Sequence, residues 1–126
     1  MKSKFDLEYT LNSSPKVLFS RLSTAEGLSE WFADDVQVHG EDFIFIWDKT
    51  EYKAKMVHIR ENKQVRFKWI DNEDEEERYF EFKLSIDELT SDVALLITDY
   101  AEDDEKEDAI YLWDSQIAEL KHVLGI

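Results

Sequence analysis

At 126 residues, 43% of them hydrophobic and four of them Trp, the chain can bury a core of its own without disulfide or metal staples. Its formal net charge of −15, from 30 acids against 15 bases, argues against nucleic acid and anionic lipid as partners, because both need a basic face. The absence of Cys excludes a disulfide framework, a thiol nucleophile and a thiolate metal site.

Lys4 to Leu11 alternates, with Phe5, Leu7, Tyr9 and Leu11 on one face and Lys4, Asp6, Glu8 and Thr10 on the other, which predicts a half-buried strand. Ser14 then caps a helix that Pro15 opens, since a missing N–H costs nothing in the first turn. Val17, Leu18 and Leu22 supply its buried side. A second short helix is expected to start at Ser23, with Glu26 as its capping-box partner, and to carry Leu28, Trp31 and Phe32; Gly27 inside it lowers its propensity.

From Val36 the pattern is that of strands. Val36 and Val38 make a short one, turned by His39-Gly40-Glu41-Asp42. Phe43 to Trp47 is apolar at every position, as if covered on both faces or paired with another surface, and its Phe43–Ile46 part hints at a dimer surface. Tyr52 to Ile59 alternates less cleanly. Val65, Phe67 and Trp69 alternate with Arg66 and Lys68, and Phe80, Phe82, Leu84 and Ile86 alternate with Glu81, Lys83 and Ser85. Val93 to Tyr100 is a further apolar strand. Asp104 to Gly125 is an amphipathic helix whose stripe is Ile110, Trp113, Ile117, Leu120 and Leu124. Asp104 and Glu107 are its expected capping pair, and Gly125 its left-handed stop. The order is strand, helix, helix, six-stranded antiparallel meander, long helix, in an α+β domain spanning residues 1–126, with the last helix as the cover for the apolar face of the sheet.

This order resembles the helix-grip fold of the START-like superfamily, which includes the birch-pollen-allergen type of protein. The text of Ser14-Pro15-Lys16-Val17-Leu18-Phe19 and of Leu22-Ser23-Thr24-Ala25-Glu26-Gly27-Leu28-Ser29-Glu30-Trp31-Phe32 is similar to the branch related to the activator of the heat-shock chaperone ATPase. Trp113, followed by Ile117, Leu120 and Leu124, is similar to that branch's last helix. The chain departs from it at Leu112, where a Gly often precedes the Trp, and at Ala33-Asp34-Asp35, where a glycine-rich turn often follows the Trp-Phe pair. Chaperone activators, ligand binders and cyclase-like enzymes all share this resemblance, so the fold is implied more specifically than the function.

No catalytic apparatus is legible. His39, His58 and His122 have no metal-motif spacing, and there is neither a nucleophile elbow nor a phosphate-binding glycine loop. No metal and no cofactor is implied. The aromatic residues are more informative, and they either fill a solid core or line a cavity for a small hydrophobic or amphipathic ligand between sheet and helix. The cavity candidates are Trp31, Phe45, Trp47, His58, Phe67, Trp69, Phe80, Phe82, Ile110, Trp113 and Ile117. For a cyclase-like enzyme the available polar groups are His58, Tyr52, Asp99 and Gln116.

Alternate turns of a meander fall at one end of the sheet, which predicts an acidic rim of Asp34, Asp35, Asp71, Glu73, Asp74, Asp103, Asp104 and Glu105, suited to a basic protein partner. The sequence expectation is therefore a non-enzymatic binding protein, with a protein-interaction module as alternative. Lacking a signal-peptide run or a membrane span, the chain is expected to be cytoplasmic, as a monomer or weak homodimer.

Overall fold

The computed structural model describes residues 2–70 and 78–126. Among them, β1 (Lys2–Leu11) leads into α1 (Pro15–Ser23) and α2 (Ala25–Leu28). Six strands follow: β2 (Asp35–His39), β3 (Asp42–Trp47), β4 (Thr50–Arg60), β5 (Gln64–Trp69), β6 (Tyr79–Ile86) and β7 (Val93–Glu102). The chain then enters α3 (Lys106–Leu124). The strands form one antiparallel sheet in the order β1-β7-β6-β5-β4-β3-β2. The expected meander is therefore present, and β1 joins it at the far edge, beside β7. No described helix is long and apolar enough to cross a membrane.

The period-two alternation sets the two faces of the sheet. Phe5 and Leu11 of β1 are buried, with Leu7 and Tyr9 half-buried on the same side. The apolar run Phe43–Trp47 of β3 divides in the same way. Phe43 and Phe45 are buried on the inner face, whereas Ile44 and Ile46 stand half-buried on the outer one, opposite Gln37 and Asp35 of β2 and Lys53 and Glu51 of β4. The outer face carries polar rungs. The Thr98 hydroxyl donates to Asp6 at 2.7 Å, and Arg66 donates to the buried Glu81 carboxylate at 3.1 and 3.0 Å while lying 4.0 Å over the Tyr79 ring. Burial and the neighbouring Tyr79 push the Tyr100 hydroxyl up to about 12.

The short helices depart from expectation in three places. Val17 is 47% exposed, and α1 buries Leu18, Phe19 and Leu22 instead. The stripe is centred on those three, and Val17 lies a further ~100° around the helix. Ser14 does cap α1, accepting from the Val17 N–H at 3.2 Å. The cap of α2 is Thr24, not Ser23: Thr24 Oγ1 accepts from Gly27 N–H at 3.0 Å, whereas the Ser23 hydroxyl turns back to the Phe19 carbonyl at 2.8 Å. α2 is a single turn that ends at Leu28, so Trp31 and Phe32 sit on the connection to β2. Gly27 has a packing reason. A Cβ there would lie 2.3 Å from the Ser20 carbonyl oxygen and 2.6 Å from Arg21 Cα, so only glycine lets α2 close against the end of α1.

The last helix starts later than its charge pattern predicts. Asp103 to Glu105 form a turn, closed by Glu105 N–H to the Glu102 carbonyl at 2.9 Å, and Glu105 takes the N-cap position without a side-chain cap bond. Asp104 and Glu107 therefore make no capping box. The end is as expected, with Gly125 at φ 73° and the Gly125 and Ile126 N–H groups returned to the His122 and Lys121 carbonyls. Trp113, Ile117 and Leu120 are the buried stripe, with Ile110 and Leu124 half-buried beside it.

Candidate functional site

α3 is pinned at three points. The Tyr9 hydroxyl of β1 donates to Asp114 at 2.7 Å, the Trp113 indole donates to Asp99 of β7 at 2.9 Å, and the Gln116 amide donates to the Phe32 carbonyl at 2.9 Å. The first two hold the helix over the β1–β7 side of the sheet. One helix about 10 Å wide cannot cover seven strands spaced about 4.8 Å apart, so a second cover is needed. α1, α2 and the Trp31–Ala33 connection supply part of it, and an open cleft of about 790 Å³ remains between that connection, α3 and the ends of β3 and β5.

All four tryptophans of the chain line this cleft: Trp31, Trp47, Trp69 and Trp113. Phe32 forms its floor, with its ring 5.1 Å from Trp47, 5.2 Å from Phe45, 5.2 Å from Phe80 and 5.7 Å from Trp113. The Trp47 indole donates to the Phe32 carbonyl at 2.8 Å and the Trp31 indole to the Arg21 carbonyl at 2.8 Å. One carbonyl, that of Phe32, thus accepts from both β3 and α3 and fixes the two walls relative to each other.

A family model for the START-like superfamily domain matches residues 1–126. The chain belongs to the START-like superfamily. It is similar to a Bacteroides fragilis protein solved by solution NMR, with 45% identity, a TM-score of 0.69 and coverage of 99% of this chain and 93% of that one. It also resembles the Aha1 dimer subunit from Colwellia psychrerythraea at 20% identity and a TM-score of 0.83, covering 98% and 97%. DynU16 of the dynemicin biosynthetic locus superposes at 12% identity and a TM-score of 0.79, where the chain spans 97% of itself and 47% of that protein. The last two show the fold alone. No curated protein matches the chain. The expected resemblance to START-like chains, and to the chaperone-activator branch among them, is borne out at the level of fold.

In this START-like chain the expected cavity residues separate into three groups. Trp31, Trp47, Trp69 and Trp113 line the cleft. Phe45, Phe67, Phe80, Phe82 and Ile117 do not; they are at most 2% exposed and pack into a filled core, with Phe67 stacked 5.0 Å from Phe80 and Phe82 5.6 Å from Phe80. Ile110 is half-buried against that core. His58, the third, stands apart on the outer face. The β4–β5 register shifts between Met56 and His58, so His58 lies opposite Arg66 on the outer face and is exposed. Regular alternation from Ala54 and Met56 would have turned it inward, and one extra residue in the strand reverses it.

Three of the four polar groups named from the sequence reach the cleft, and Ser29, Glu30 and Glu119, which the sequence did not single out, line it as well. Asp99, Tyr52 and Gln116 line it, as does Phe32, which the helical pattern had assigned to the second helix. Asp99 continues the inward phase of Val93, Leu95 and Ile97, and that alternation is the signal that locates it. Burial raises its carboxyl above the ordinary value; the Trp113 indole, the Tyr100 N–H and the Lys2 and Arg78 charges oppose that rise. Among the described residues the charged lining is acidic: Glu30, Asp34, Asp99 and Glu119.

Of the expected acidic rim, Asp71, Glu73 and Asp74 lie outside the described residues. Asp34 and Asp35 stand at the start of β2, and Asp103, Asp104 and Glu105 follow β7, which puts both groups at the same end of the sheet. They are five strand spacings apart, about 24 Å along the sheet. Among the described residues no group of three or more His, Cys, Asp or Glu could hold a metal ion.

Proposed function

We propose that the protein is a non-enzymatic binding protein that holds a small apolar or amphipathic molecule in the cleft between α3 and the sheet. The observation that carries this reading is the convergence of all four tryptophans on one open cleft, beside a core filled by phenylalanine and aliphatic side chains. A volume of about 790 Å³ suits a small organic ligand, and an aromatic lining with a few polar groups is the usual composition of such sites. A cyclase-like enzyme has less support: His58 is on the far face, and the half-buried carboxylate of Asp99 is engaged by Trp113. An acidic rim for a basic partner also has less support, because its described members stand near opposite edges of the sheet.

The test is a titration of the full chain with 1-octanol, read by tryptophan fluorescence and by native mass spectrometry. A saturable blue shift with a one-to-one adduct is expected. Leu112 lies at the lip of the cleft and is 59% exposed, so Leu112→Glu leaves the core intact and weakens binding about tenfold by placing a charge against an apolar ligand. The absence of any saturable change, or binding indifferent to Leu112→Glu, overturns the proposal.

A further inference from the structure

Three rings at the mouth of the cleft form a corner. Trp47 ends β3, Trp69 ends β5, and Tyr52 stands near the start of the intervening β4. Their centroids are 5.6 Å apart for Trp47–Tyr52 and 6.5 Å for both Trp47–Trp69 and Tyr52–Trp69. The planes are inclined to one another by 62°, 54° and 72°. No two of these rings are stacked, all three line the cleft, and Tyr52 is 45% exposed. The phenylalanine core behind them is closed, whereas this corner opens to solvent.

The charged side chains lining the cleft among the described residues have one sign, while Arg78, whose carbonyl accepts from the Trp69 N–H, stands beside the corner and its charge reaches Asp99. Among the described residues the cleft is lined by four carboxylates and by no Lys, Arg or His. Glu30 is paired with Arg21, and Asp99 accepts from Trp113. Asp34 is exposed and held beside Trp47 by two backbone bonds: its N–H donates to the Ile46 carbonyl at 3.0 Å, and its Oδ2 accepts from the Asp48 N–H at 2.8 Å. Aromatic faces carry the negative part of the ring quadrupole and attract a cation that sheds its water between them; a carboxylate at the edge adds a longer-range attraction. An anionic amphiphile would meet the same carboxylates as repulsion.

We infer that Trp47, Tyr52 and Trp69, with Asp34 beside them, bind the alkylammonium group of a small organic cation whose apolar body lies along Trp113 and Leu112. This rests on the reading of the cleft as a ligand site and names the class of ligand. The cleft volume exceeds that of a trimethylammonium group several-fold, which leaves room for such a body.

The test compares choline with its uncharged carbon isostere, 3,3-dimethylbutan-1-ol, on the full chain at low salt, read by tryptophan fluorescence and indole NMR shifts, with 1-octanol as a third probe. Choline is expected to bind at least about tenfold more tightly than the isostere. Tyr52→Leu keeps an apolar side chain but removes a ring face, and should bring that ratio towards one. Tyr52 is half exposed, so the variant is expected to fold, and its unfolding temperature checks this. Equal binding of choline and the isostere, with 1-octanol still bound, overturns the cation assignment and leaves the cleft reading standing. A choline preference untouched by Tyr52→Leu overturns the assignment to this corner. Failure of all three probes overturns both.

Discussion

Phe32 is the ring on which the interior and the cleft both depend, and truncating it to Ala tests that role. The residue is 4% exposed and packs against Trp31, Phe45, Trp47, Phe80, Phe82 and Trp113 at centroid distances of 5.1 to 6.0 Å. Its hydrogen bonds to Trp47 and Gln116 go through the backbone carbonyl, so Phe32→Ala removes the ring and spares the anchor. Buried Phe→Ala changes cost about 3–5 kcal/mol, and six ring partners that cannot all collapse place this one near 4 kcal/mol. With an unfolding entropy of about 2.1 cal/mol/K per residue, the 126-residue chain should lose about 15 °C from its midpoint. Phe32→Leu, which keeps most of the volume, should cost only about 1–2 kcal/mol. Thermal unfolding followed by near-UV and far-UV circular dichroism, paired with urea titration, reads both. A loss below about 1 kcal/mol for Phe32→Ala would refute the reasoning, because the Trp31–Ala33 connection would then be a movable flap over the core and not part of it.

Gly27→Ala should destabilise the chain by about 2 kcal/mol or more, despite a helix-propensity gain of up to about 1 kcal/mol, because the new Cβ meets backbone atoms of Ser20 and Arg21; a urea midpoint equal to the parent's would show that α1 and α2 can separate freely. Asp99→Asn should raise the unfolding temperature at pH 7, since it removes a charge that burial disfavours and keeps an acceptor for the Trp113 indole. The sign follows from the raised carboxyl of Asp99: between its ordinary and its folded value the native state holds a proton that the unfolded chain has released, so the parent gains stability as pH falls through that window. The advantage of the Asn variant should therefore close as pH drops towards about 4, and a gap constant with pH contradicts the assignment. Glu81→Ala leaves the partly exposed Arg66 guanidinium without its carboxylate and should cost about 2 kcal/mol, measurable by urea unfolding; a neutral outcome would mean the outer-face pair contributes nothing.

Local pattern determined a great deal of this protein. The phases of β1, β5 and β6, the Ser14 cap, the Gly125 stop and the order of the elements all follow from period-two or helical alternation and from single-residue preferences. The inward phase also extends correctly to Asp99. Depth is different, because phase says which face a side chain takes but not what lies above it. Phe45 and Trp47 share a face, as do Phe67 and Trp69, yet the first of each pair is in the closed core and the second lines the cleft. That division was decided by where α3 comes to rest, over β7 and β1 through Asp99 and Tyr9, leaving the ends of β3 and β5 uncovered. His58 was decided by the β4 bulge, a one-residue shift in pairing that local alternation does not encode. The sequence by itself determined that one face of the sheet would be aromatic; only the tertiary structure, by resting the one long helix over the β1–β7 side of a seven-stranded sheet, decided which of those rings remain open to a ligand.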